Sequence, residues 1–164
     1  MGAGWRPSTR QGACLPGSGC DDAARGIVSR PNLVRIHPAG LIIDERARSQ
    51  HVILREEDGT RRLRFETGTA EALALEAALA GRARDRPGPH ELFLRAVTAL
   101  GGLLTRVEVV ARTSEGTLRA RLLLQAGKER RELDARPSDA VVLALLAGSP
   151  LFAEDDLLED GPAE

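Results

Sequence analysis

Aromatic side chains are scarce in this sequence, which has one tryptophan, three phenylalanines and no tyrosine. Proteins that bind single-stranded nucleic acids commonly stack the bases on aromatic platforms beside a basic groove. The composition therefore argues against RRM-like and OB-like modes of binding. It also requires a core built from leucine, valine, isoleucine and alanine.

The sequence lacks an excess of either charge. It has 23 basic side chains and 24 acidic ones, with a formal net charge of −1. The long-range basic field that drives tight non-specific binding to DNA is therefore absent. Any contact with a nucleic acid would depend on a local group of arginines.

Cysteines and long apolar runs are also few. Cys14 and Cys20 are the two cysteines, and no neighbouring histidine or cysteine completes a metal site around them. No apolar run approaches the roughly 18 residues of a membrane span, and the first residues lack the apolar centre of a secretory signal. We therefore expect a cytoplasmic protein that makes no membrane contact.

The length of 164 residues and the hydrophobic fraction of 42% allow one core of ordinary domain size. We predict a single compact α+β domain over residues 33–160, with an antiparallel-rich mixed sheet packed against about three helices. Residues 1–32 are rich in Gly, Pro, Ser and Arg without periodicity, which indicates a disordered leader or an over-extended start. Residues 161–164 are predicted to be a frayed tail.

Local patterns predict the individual elements. Two extended runs around Asp58-Gly59 predict a hairpin, and alternating residues 105–135 predict a three-stranded antiparallel meander. Thr69 is predicted to cap a first helix, Pro89 to open a second and Pro137 a third. The second helix has four residues spaced for a buried face, namely Leu92, Ala96, Ala99 and Leu100.

The third predicted helix follows an unusual polar segment, DARPSDA, which begins at Asp134. Pro137 presets the helical φ angle, and Ser138 and Asp139 can accept hydrogen bonds from the free amides of the first turn. Helix capping alone can explain both residues. However, Asp134 and Arg136 stand at a strand-to-helix junction, where free amides and a guanidinium can hold a phosphate. On local chemistry, both interpretations stay open.

Four stretches resemble the bifunctional nuclease domain family, in the family's sequence order. They are HVILREEDGTRRLRFETG followed by AEALALEAAL, then RPGPHELF, then EGTLRARLLL, and finally DARPSDAVVLALLAGSPLFAEDDLLE. The resemblance covers about residues 33–160, and its last motif is long enough to be specific. It implies a compact, dimeric α+β domain that degrades DNA and RNA.

The resemblance also implies which residues form the site. The matching positions give the catalytic candidates Glu71, His90, Asp134, Arg136 and Asp139. Arg136 and Ser138 are the candidates for phosphate binding, and Asp134 and Asp139 are those for a divalent metal, Mg²⁺ or Mn²⁺. The sequence departs from the family at Pro89, where relatives have a threonine whose hydroxyl lies beside the histidine.

Each implied role has an alternative. His90 can simply bond a loop carbonyl at a helix start, and Glu71 can favour the N-terminal end of a helix dipole. No HExxH, P-loop or clustered Cys/His pattern supports another hydrolase class. A different class of function stays open, a non-catalytic dimeric binding or regulatory module that recognises a phosphate-bearing ligand or a protein.

The predicted domain boundary can be tested by limited proteolysis. We expect a protease to remove the leader and to leave a fragment that begins near residue 33, because ordered and buried backbone resists cleavage. Mass spectrometry of the surviving fragment gives its first residue. A protected fragment that begins before residue 20 would contradict the boundary.

Overall fold

The computed structural model of the chain describes residues 32–44, 49–57, 59, 61–82, 85–110 and 117–161. The predicted leader, apart from its last residue, and nearly all of the predicted tail lie outside these ranges. The two domain boundaries therefore stay predictions.

The described residues form eight strands, three α-helices and one short 3₁₀ turn. The strands are β1 Leu33–Asp44, β2 Ser49–Glu56, β3 Arg61–Thr67, β4 Gly102–Val110, β5 Arg119–Ala126, β6 Glu129–Ala135, β7 Leu151–Glu154 and β8 Glu159–Asp160. The helices are α1 Thr69–Leu79, α2 Pro89–Ala99 and α3 Pro137–Ala147, and the 3₁₀ turn is Asp155–Leu157. No helix in this part of the chain is long and apolar enough to cross a membrane.

All eight strands belong to one sheet, with the order β6-β5-β4-β7-β1-β2-β3-β8. Neighbouring strands are antiparallel except β4 and β7, which run parallel. The predicted hairpin is the β2–β3 pair, and the predicted meander is β4–β5–β6. The structure thus confirms a single α+β domain with a mixed, mostly antiparallel sheet and three helices.

The core is aliphatic and centres on α3. Five consecutive residues of this helix, from Ala140 to Ala144, are buried, and the helix contacts α1, α2, β4 and β5. Its buried side chains join those of the sheet, such as Leu54, Leu63 and Val107, in one cluster. The start of α3, where DARPSDA lies, is therefore fixed by packing on several sides.

Two local predictions are wrong. Thr69 does not cap α1 but is its first residue, because Gly68 takes the N-cap position, and the Thr69 hydroxyl contacts the side-chain oxygen of Gln50 at 3.4 Å. On α2, the predicted buried face is exposed, with Leu92 at 59% and Leu100 at 85%. That helix has apolar residues on two sides, and the side of Phe93 packs on the core instead.

Candidate functional site

The first turns of the three helices lie side by side, although they are far apart in the sequence. Arg136, the residue before α3, donates a hydrogen bond from Nη2 to Oε1 of Glu71 in α1 at 2.7 Å. His90, in the first turn of α2, contacts Asp139, in the first turn of α3. We call these four residues, Glu71, His90, Arg136 and Asp139, the helix-start cluster.

Arg136 is the bridging residue of the cluster. Besides its bond to Glu71, its Nε donates to Oδ2 of Asp139 at 2.8 Å. The hydrogen bond and charge of Asp139, followed by those of Glu71, raise the pKa of Arg136, so the side chain stays a cation. These two bonds use two of the five N–H groups of a guanidinium, and 68% of the side chain is exposed. Donors on Arg136 therefore remain open to an anion from solvent.

Asp139 joins the arginine to the histidine. Its Oδ1 lies 3.0 Å from Nε2 of His90, and the two side chains are largely buried. Burial alone raises the pKa of Asp139, but hydrogen bonds and charge from Arg136 and His90 outweigh it, and the pKa falls below its ordinary value. Asp139 is therefore a carboxylate that can orient the imidazole through Nε2.

Glu71 is positioned by the start of its own helix. Its carboxylate turns back over Gly68, so closely that a Cβ at residue 68 would lie 2.5 Å from Oε2 of Glu71. Gly68 thus leaves room that any other residue would fill. The negative charge also lies at the N-terminal end of α1, where the helix dipole favours it. Glu71 therefore has two roles: its charge stabilises the start of α1, and its carboxylate contacts Arg136.

The cluster lies at the polar end of a pocket of about 360 Å³ between the three helices. Small side chains of α1 and larger ones of α3 form the apolar wall, namely Ala70, Ala74, Ala77, Ala78, Val142 and Leu146. Besides the cluster, the polar lining includes Arg82 and Glu91. This volume is at the small end of the range for ligand pockets, and few polar groups converge in it.

The other predicted site residues lie apart from the cluster's hydrogen bonds. Asp134 is an exposed residue of β6, where its Oδ1 accepts from Nε of Arg119 at 2.9 Å and from Nη2 at 2.8 Å. Ser138 is half-buried in the first turn of α3. Neither Ser138 nor Asp139 caps the helix, because α3 has no side-chain capping bond. Capping therefore does not explain these two residues.

A divalent metal between Asp134 and Asp139 would need these carboxylates free and close together. In the structure each accepts hydrogen bonds from a different arginine, Arg119 or Arg136. The described residues contain no group of three or more His, Cys, Asp or Glu side chains that could hold a metal ion. These residues do not fit a metal centre formed by protein ligands alone.

Two polar residues of the pocket, Arg82 and Glu91, were missed by the sequence analysis. Glu91 accepts a hydrogen bond from the backbone N–H of Gly88, just before α2. A glycine at the N-cap is followed three residues later by a glutamate at 68 and 71 and again at 88 and 91, which is the spacing of the glutamate half of a capping box; glycine has no side chain to form the other half. That repeated spacing was the signal that marks both helix starts.

The pH dependence of stability provides a test of the cluster. Since the pKa of Asp139 is lowered by folding, its contribution is fully present above the unfolded value of about 3.9 and is lost as the pH falls through the folded value. The difference in melting temperature between wild type and Asp139→Asn should therefore shrink from about pH 7 to about pH 3. A difference that grows toward acid would contradict the ion pairing.

Comparison with known proteins gives two kinds of match. A family model described as the bifunctional nuclease domain matches residues 52–164. Two uncharacterized proteins, from two strains of Mycobacterium tuberculosis, are each 32% identical over 123 residues, which cover 75% of this chain and 73% of theirs. The matched region contains all four residues of the helix-start cluster. The chain belongs to the bifunctional nuclease domain family.

Proposed function

We propose that this protein is a nuclease that hydrolyses phosphodiester bonds of DNA and RNA at the helix-start cluster. One observation carries the proposal: the carboxylate of Asp139 contacts both the exposed guanidinium of Arg136 and the imidazole of His90. The membership of the nuclease family supports the same reaction class.

Arg136 is the phosphate-binding group in this proposal. Its guanidinium is planar and always charged, and its remaining N–H groups can bond two oxygens of a phosphate. The free amides in the first turn of α3 lie beside it and favour an anion at the same place. As charge develops on the phosphate oxygens in the transition state, these fixed donors stabilise it.

His90 is the proton-transfer group. Its Nε2 faces Asp139, so Nδ1 is the nitrogen left to exchange protons with the reactants. A water oxygen bonds to phosphorus while Nδ1 takes a proton from that water. The P–O ester bond then breaks, and the imidazolium returns the proton to the leaving oxygen. Asp139 stabilises the imidazolium in between, and Glu71 keeps Arg136 in place.

The sequence-based predictions of a divalent metal and of cytoplasmic location stay part of the proposal. Mg²⁺ is often held by one or two carboxylates together with substrate phosphates, rather than by a complete set of protein ligands. An ion could therefore bind when the phosphate does. The steps assigned to Arg136 and His90 do not depend on it.

The alternative is a binding module that recognises a phosphate-bearing ligand without cutting it. One observation favours it, the balance of charge in the cluster. Arg136 contacts two carboxylates, from Glu71 and Asp139, so the four residues have a formal charge of −1 with a neutral His90 and of zero with a protonated one, which leaves no surplus positive charge to stabilise a transition state. Cleavage assays separate the two functions.

Substitution of Arg136 is the direct test of the nuclease proposal. Arg136→Ala should lower the rate of cleavage of single-stranded DNA and RNA by about 10²–10³-fold, as loss of one oxyanion donor typically does. The melting temperature should barely change, because exposed ion pairs are worth about 0–1 kcal/mol. A matched control is Arg131→Ala, which removes a similarly exposed arginine paired with Glu129 on β6.

The assays are run without added metal and with Mg²⁺ or Mn²⁺. Cleavage that survives Arg136→Ala, or that falls equally in Arg131→Ala, would contradict the assigned site. Asp134→Asn tests the remaining role of Asp134 in the same assay. Wild-type protein that cuts neither substrate with any of the metals would contradict the nuclease proposal and favour the binding module.

We also propose that the domain is a homodimer, as the family resemblance implies. The exposed leucines of α2 and of the start of β4, Leu92, Leu100 and Leu103, supply apolar surface that a second copy would bury. Light scattering at about 50 μM should give twice the chain mass, since roughly micromolar dissociation constants are ordinary. Leu100→Glu should shift the mass toward the monomer, and a wild-type monomer would contradict the dimer.

A further inference from the structure

A second pocket adjoins the helix-start cluster. It lies where β3 ends and α3 begins, has a volume of about 960 Å³, and shares Glu71 and Arg136 with the first pocket. We call it the β3–α3 pocket. Its other lining residues include His51, Phe65, Thr67 and Ser138.

Thr67 is the anomalous residue of this pocket. Its side chain is one of few buried polar ones among the described residues, at 9% exposure, and its Oγ1 has no hydrogen-bond partner. A buried hydroxyl without a partner opposes folding, and an apolar group of the same shape would not. The stability of the fold therefore does not explain why residue 67 is a threonine. A ligand that bonds to the hydroxyl would explain it.

Two further neutral groups line the same pocket without a partner. Nδ1 of His51 is buried and unpaired, and His51 lies on β2, next to β3. No hydrogen bond joins the Ser138 hydroxyl to another described residue. The register pairs His51 with Glu66 and Thr67 with Gln50, so the side chains of His51 and Thr67 line the pocket from opposite faces of the sheet. Most buried polar atoms in folded proteins are paired, so two such atoms in one pocket are unusual.

The charges of the pocket select against a second phosphate. Glu66 and Glu159 are exposed acids of its lining, opposed by Arg64. The remaining wall combines the apolar side chains of Phe65 and Leu118 with the neutral polar groups. Sugar hydroxyls and base edges bond to neutral donors and acceptors, and a base can stack on an aromatic ring. The volume is also sufficient for a nucleoside.

We propose that the β3–α3 pocket binds the nucleoside attached to the phosphate that Arg136 holds. The inference rests on the proposed function for the position of that phosphate. Because Arg136 lines both pockets, a phosphate on its guanidinium has its sugar within reach of Ser138. Thr67 lines the same pocket, and in this proposal its unpaired hydroxyl bonds the nucleoside.

The test measures binding rather than cleavage. Calorimetric titration compares adenosine 5′-monophosphate with inorganic phosphate on the full-length chain. Thr67→Val should weaken binding of the nucleotide by about 5–10-fold, the usual effect of one lost hydrogen bond, and should leave phosphate binding unchanged. The melting temperature of Thr67→Val should equal or exceed that of wild type, because the change removes an unpaired buried hydroxyl.

Thr105→Val is the matched control. The Thr105 hydroxyl donates to the backbone oxygen of Leu123 at 2.8 Å, so this variant should melt at a lower temperature and bind the nucleotide like wild type. If Thr67→Val binds the nucleotide as tightly as wild type, or if the nucleotide binds no better than phosphate, the inference is wrong. Either result leaves cleavage by the helix-start cluster intact. Conversely, a protein that cuts nothing but binds the nucleotide through Thr67 contradicts only the nuclease proposal.

Discussion

The candidate site depends on one guanidinium that two carboxylates hold. Arg136 bonds Glu71 across 65 positions of sequence and Asp139 within its own helix start. Exposed ion pairs are worth only about 0–1 kcal/mol, so these bonds do not assemble the three helices. The aliphatic packing of α3 does that, and the bonds then fix where the charged groups point. Fold and site thus have different physical origins, which is why a surface substitution can affect one without the other.

Much of the fold was readable from local pattern. The Asp58-Gly59 dipeptide predicted the β2–β3 hairpin, and the prolines at 89 and 137 marked two helix starts, because these signals act over a few residues. The parallel pairing of β4 with β7 was not predictable in this way, since it depends on where α3 returns the chain. The exposed face of α2 was predicted to be buried, and this error has the same cause. Both faces of that helix carry apolar residues, and only the tertiary contacts decide between them.

The candidate site was predictable in part. The family resemblance selected Glu71, His90, Arg136 and Asp139, and the structure brings these four together. No spacing rule indicates that residues 71 and 90 approach residue 136, because those contacts follow from helix packing. Asp134 illustrates the opposite case. It stands two residues before Arg136, but β6 ends at Ala135 and Arg136 already belongs to the start of α3, so the strand keeps Asp134 beside Arg119 on β5.

The two adjoining pockets differ in chemistry, so each suits a different part of a substrate. The cluster offers charge for a phosphodiester, and the β3–α3 pocket offers neutral groups and one aromatic ring for what is attached to it. The most direct measurement is a crystal structure of the protein with a phosphorothioate dinucleotide. We expect the phosphorus to lie against the Arg136 guanidinium, with one nucleoside beside Thr67 and Ser138. A dinucleotide bound elsewhere, with Arg136 still closed on both carboxylates, would contradict it.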